Sequence, residues 1–130
     1  MLVSQELLEG AVRLHGHLGP FLVIGLKMSL LAEKVLGGKP TRCEVKVVKR
    51  KPRLCAVDGI KAVIGSDAIV IKNGSGIAAK FSRAEDEWVI LKVKKSVVER
   101  FEKSTWEKCE EDAREVLRSR NEDLFERIAS

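Results

Sequence analysis

Residues 20–36 constrain this chain more than any other stretch. Phe21, Leu22, Val23, Ile24, Leu26, Met28, Leu30, Leu31, Val35 and Leu36 cover most of a helix circumference, interrupted by Lys27, Ser29, Glu33 and Lys34. A helix apolar nearly all round has no wet face, so other elements or a second copy of the chain must enclose it. Pro20 suits its first position, where a missing N–H leaves no bond unmade. Gly37-Gly38, with Pro40 beyond, stops it. The apolar run over 18–26 is too short to span a bilayer and is followed by Lys27, so the helix belongs to a core or an interface. Gly25 costs this helix roughly 1 kcal/mol relative to alanine and lets another element approach closely.

A shorter helix precedes it. Ser4 is a suitable N-cap, Glu6 sits in the first turn, and Leu7, Leu8, Ala11, Val12 and Leu14 share one face up to about His15. The link between the two helices, His15-Gly16-His17-Leu18-Gly19-Pro20, holds both histidines of the chain. They lie beside a helix N-terminus, which attracts anions. Neutral imidazole is a common metal ligand, and the glycines allow backbone or ligand to come close. Two readings stand here: a metal or small-ligand site, and two polar residues in a tight turn.

Residues 41–48 read as a strand rich in β-branched side chains. Lys49-Arg50-Lys51-Pro52-Arg53 follows as a solvated basic loop. It has no interleaved aromatics to stack on bases, which argues against nucleic acid as a partner. Residues 54–64 read as a short buried helix closed by Gly65, with Cys55 and Asp58 on one face at i and i+3. Strands follow at 68–72 and 77–83, with Asn73-Gly74-Ser75-Gly76 as a hairpin signal between them. A third strand at 88–93 completes an antiparallel meander. Ser96 and Thr105 are candidate caps of further helices. Trp106, Cys109, Ala113, Val116 and Leu117 form an apolar stripe that places Cys109 in the core, and Glu110 and Arg114 pair on the wet side. Leu124, Phe125 and Ile128 read as a last short helix. The fold expected is α+β: an N-terminal helical hairpin whose long buried helix packs on a mainly antiparallel sheet, then C-terminal helices, all in one domain over 1–130.

The net charge of +5 is interspersed along the chain and solubility accounts for it. Gln5, Asn73 and Asn121 are the sole side-chain amides beside 24 Lys and Arg, a composition that points to a thermophilic source. Three widely spaced cysteines without a CxxC pair point to a reducing compartment. With no signal peptide at the start, the cytoplasm is the expected location.

Two segments together resemble a known family. His15-Gly16-His17-Leu18-Gly19-Pro20-Phe21, followed by the long apolar helix, is similar to an HGHxCPG motif. Leu54-Cys55-Ala56-Val57-Asp58-Gly59-Ile60 is similar to a CxVDxIQ-like signature. Residues 73–81 echo the hairpin that follows it. All three resemble the FmdE family, which takes its name from formylmethanofuran dehydrogenase, over roughly residues 5–95, with 96–130 as a helical extension. The resemblance implies an α+β domain, usually dimeric, with a cleft lined by His and Cys that holds a metal such as zinc. It implies a ligand site of His15, His17, Gly19, Cys55 and Asp58, with His15, His17 and Cys55 as metal ligands. The C-terminal zinc finger of longer members has no cysteine pair to form it here.

Departures from the family pattern weaken the metal site. The motif cysteine is Gly19 in this chain, and a cysteine-bearing glycine-rich loop is replaced by Gly65-Ser66-Asp67. Zinc is therefore expected to be weakly held or absent, and Gly19→Cys is expected to raise zinc affinity. The function expected is a divergent small-ligand or anion-binding member. The alternatives are a zinc-binding hydrolase or redox accessory protein, and a basic-loop module for nucleic acid or subunit interaction. A Cys55–His nucleophile requires the two within hydrogen-bond reach. A homodimer burying part of residues 20–36 is expected, with no membrane partner.

Overall fold

The computed structural model describes residues 3–129. Helix α1 (Gln5–His15) starts where the Leu7 N–H donates to Ser4 Oγ at 3.1 Å. It ends at Gly16, whose φ of 111° is a left-handed conformation that glycine adopts without a Cβ penalty. Helix α2 (Pro20–Leu36) follows, then β1 (Arg42–Val47), α3 (Cys55–Ile64), β2 (Ile69–Asn73), β3 (Ile77–Ala84) and β4 (Glu87–Val93). The chain closes with α4 (Lys95–Glu102), α5 (Cys109–Arg118), α6 (Asn121–Leu124) and β5 (Phe125–Ala129). The architecture is α+β.

Helix α2 is the axis of the molecule. Every residue from Pro20 to Ser29 is buried, as are Leu31 and Ala32. Helices α1, α3 and α5 and one face of the sheet pack against it. A single chain therefore encloses this helix without help from another copy. The sheet contributes Cys43, Val45, Val47, Ile77, Ala79, Phe81, Val89, Leu91 and Val93, all at most 1% exposed, from alternate positions of three strands. That alternation is what a sheet with one dry face requires. Lys27 is the one charged side chain buried on α2. Its Nζ donates to the carbonyls of Val116 at 3.0 Å and Leu117 at 3.4 Å, and to that of Ser119. These carbonyls lie at the C-terminal end of α5, where intrahelical donors run out, and Val116 O also accepts from the Ser119 N–H at 3.1 Å.

The meander expectation fails at its first hairpin. The strand order is β2-β1-β3-β4-β5, with β1 lying between β2 and β3, parallel to the former and antiparallel to the latter. Asn73-Gly74-Ser75-Gly76 therefore joins strands that do not pair, crossing the end of β1, where Gly74 N–H donates to Val47 O. The cause is α3: a strand–helix–strand crossover returns the chain parallel to its first strand, and that outweighs local turn chemistry. The β3–β4 hairpin does form.

The last helix is also corrected. After α6, residues 125–129 form β5, an edge strand antiparallel to β4. Phe125 is buried and Ile128 is 65% exposed. Ser96 lies inside α4, whose N-cap is Lys94, and Thr105 caps a 3-10 turn (Trp106–Lys108) without a side-chain bond. Trp106 is 75% exposed and does not belong to a buried stripe. The Glu110–Arg114 pair forms at 2.8 Å. Among the described residues no helix is long and apolar enough to cross a membrane.

Candidate functional site

The C-terminus of α1 and the N-termini of α2, α3 and α5 meet at one end of the molecule. His15 closes α1, Gly19 caps α2, Cys55 opens α3 and Cys109 opens α5. Asp58, one turn into α3, accepts a 2.7 Å hydrogen bond from His15 Nδ1. A carboxylate only accepts, so the imidazole presents its other nitrogen, Nε2, as a lone pair or a second donor. The His15 side chain is 3% exposed, and Nε2 has no partner among the described residues. His17 stacks between His15 and Trp106, with ring centroids 4.8 and 5.0 Å away.

These side chains surround a cavity of about 60 Å³, lined by His15, His17, Gly19, Cys55, Ser104 and Cys109 among others. Ser104 Oγ is a second buried polar atom without a partner. A volume of this size suits an ion or one or two waters and is too small for a drug-sized ligand, whose pockets run to roughly 300 Å³ and above. A second recess of about 140 Å³ shares His15 and Cys55 and adds Lys51, Asp58 and Lys61. Larger open grooves elsewhere, of about 330 and 350 Å³, are lined by neither imidazole nor thiol.

The family model described as FmdE, molybdenum formylmethanofuran dehydrogenase operon, matches residues 14–130. The chain belongs to the FmdE family. No curated protein matches it. The FmdE match runs past residue 95 and through α5, so Cys109 falls inside it. The structure brings together His15, His17, Gly19 and Cys55 and ties Asp58 to them through His15. It adds Cys109, which the apolar stripe had assigned to the core. The signal for it was weak: a thiol among apolar residues at helical spacing reads as packing.

Electrostatics sort the possible chemistry. Burial, then the neighbouring His15 and Lys51, depress the His17 pKa and favour the neutral ring. Burial pushes the Cys55 thiol up, with Asp58 and Cys109 adding to it and Lys51 opposing. Burial and Asp112 raise Cys109. Neither thiol is an activated thiolate. His15 Nε2 accepts from neither of them as the side chains lie.

For the zinc that the resemblance implies, the donor set fits in kind. An orphaned imidazole nitrogen and two thiols face one small cavity, and a carboxylate orients that imidazole from behind, as carboxylates do in histidine metal sites. No group of three His, Cys, Asp or Glu among the described residues is arranged to hold an ion as the side chains lie. The donors ring a space without closing it. His15 Nε2, Cys55 and Cys109 would hold such an ion, which would supply Lewis-acid polarisation and draw the thiols to thiolate.

The basic loop is engaged in part, with Lys49 and Arg50 exposed. Arg53 pairs with Glu102 and donates to Ser75 O at 2.6 Å, and Lys51 lines the recess.

Proposed function

We propose that this FmdE-family protein binds a small anionic ligand in the recess over His15. The acidic group meets Lys51 and Lys61, and the other end reaches His15 and Cys55. The observation that carries this reading is the position of His15: fixed by Asp58, it walls both the recess and the inner cavity and offers an unused Nε2. Two lysines beside one carboxylate leave the recess net positive. A two-fold homodimer, as the resemblance implies, and a cytoplasmic setting, which three free cysteines suit, belong to the same proposal.

The test is thermal-shift titration with inorganic phosphate and with malonate, comparing the native chain with Lys51→Ala and Lys61→Ala. A ligand that binds the folded state raises Tm with concentration. The expected result is a saturable rise in the native chain that either substitution reduces. A rise that both variants retain in full would refute the proposal. A second reading, a weakened metal site in the inner cavity, is favoured by the two thiols beside His15 Nε2.

A further inference from the structure

Cys109 reaches the cavity from α5, far along the chain from the α1–α2 link. An ideal Cβ on Gly19 would stand 2.9 Å from Cys109 Sγ and 3.4 Å from His17 Nε2. Gly19 has φ −143° and ψ 165°, extended backbone open to any residue. The backbone therefore does not demand glycine here. The Cys109 sulfur stands in the space that a side chain at Gly19 would need.

We infer that Cys109 is a relocated donor: it replaces a thiol on Gly19 and, with Cys55 and His15, forms a site for a thiophilic divalent cation. Two independent observations point into the cavity besides the thiols. The His15 imidazole is almost wholly buried with Nε2 unpartnered, and Ser104 Oγ is buried and unpartnered beside it. The volume of about 60 Å³ matches an ion with its water and little else. Asp58 holds the imidazole from the opposite nitrogen, so Nε2 faces the cavity in a fixed orientation. Thiolate and imidazole nitrogen are a donor combination suited to zinc and its spectroscopic substitutes. Binding releases the two thiol protons to solvent, and nothing is oxidised or reduced.

One consequence reverses the expectation drawn from the motif. Gly19→Cys alone crowds the Cys109 sulfur, so it should not improve the site. Gly19→Cys combined with Cys109→Ala should, because the thiol then changes element and keeps its place.

The inference rests on the second reading above, and its test reads a different signal from that of the anion proposal. It is tested by titrating the full reduced chain with Co²⁺ and reading thiolate-to-cobalt charge-transfer absorption and proton release. The native chain should show the band. Cys109→Ala should weaken affinity by at least the roughly 10–100-fold that loss of a supporting partner costs and lower the band. Gly19→Cys/Cys109→Ala should recover both. Cys109→Ser, with nearly the same shape, gives the same comparison if the alanine variant does not fold. Native-like affinity and band in Cys109→Ala or Cys109→Ser would overturn the inference. So would a folded swap variant without recovery. Absence of any band in the native chain would overturn the metal reading as well, while leaving the phosphate result intact.

Discussion

Gly25 of α2 and Gly59 of α3 meet backbone to backbone: a Cβ on Gly59 would lie 2.9 Å from the Gly25 Cα and 2.2 Å from Leu22 O. A Cβ on Gly25 would lie 2.0 Å from Ala56 O. The crossing brings α3 tightly onto α2, and Asp58, adjacent to Gly59, is carried on the helix it positions. Gly25→Ala and Gly59→Ala each gain about 1 kcal/mol of helix propensity, but the clash is with backbone and cannot be relieved by a rotamer change. Each should cost a net of about 2 kcal/mol or more, lowering Tm by roughly 6 °C or more. Thermal denaturation checks this. An unchanged or raised Tm would contradict the close crossing.

Lys27 ties α2 to the end of α5 through three carbonyls. Burial depresses its pKa, yet its three carbonyl acceptors offset the water that the ammonium loses. Lys27→Met keeps the packing and removes the donor. It should cost about 1–3 kcal/mol, measured by urea denaturation with an unchanged m-value. A neutral result would mean that those carbonyls find other partners.

Cys43 is fully buried on β1, and burial, with Glu44 adding to it, pushes its thiol from the ordinary 9.0 up to about 12. Between these values the unfolded chain loses the proton and the folded chain keeps it. The folded state then binds more protons, so stability falls as pH rises. The slope approaches about 1.4 kcal/mol per pH unit for this group. The chain has no tyrosine to share that range. Chemical denaturation at pH 8.5 to 10.5 should show a steeper decline in the native chain than in Cys43→Ala. Equal slopes would contradict the assignment.

Self-association rests on the family resemblance, since α2 is covered within one chain. Leu14 at 54% and Trp106 at 75% exposure are large apolar residues at the cavity end, and Ile128 lies on the edge strand β5. Sedimentation at micromolar concentration should give a dimer. A monomer would remove the dimer from the proposal.

The sequence made the helical hairpin legible because Ser4, Pro20 and Gly37 act through local capping chemistry, and α2 announced its burial by having no polar face. It hid the position of β1 between β2 and β3, because Asn73-Gly74-Ser75-Gly76 reports turn propensity and not which strands pair. Strand β5 is hidden because Leu124, Phe125 and Ile128 carry too little periodicity to separate a period of two from 3.6. At the site, His15, His17, Cys55 and Asp58 were legible through motif spacing. Cys109 was not, because its place beside Gly19 is a tertiary contact that no local pattern encodes.

Both readings of the site turn on His15 presenting Nε2 to the cavity while Nδ1–H is held by Asp58. Long-range ¹H–¹⁵N correlation spectra of the imidazole read the tautomer directly. The expected result is a proton on Nδ1 and a bare Nε2 in the neutral ring of the native chain, with the Nδ1–H preference lost in Asp58→Asn. A neutral ring carrying its proton on Nε2, insensitive to Asp58→Asn, would contradict it.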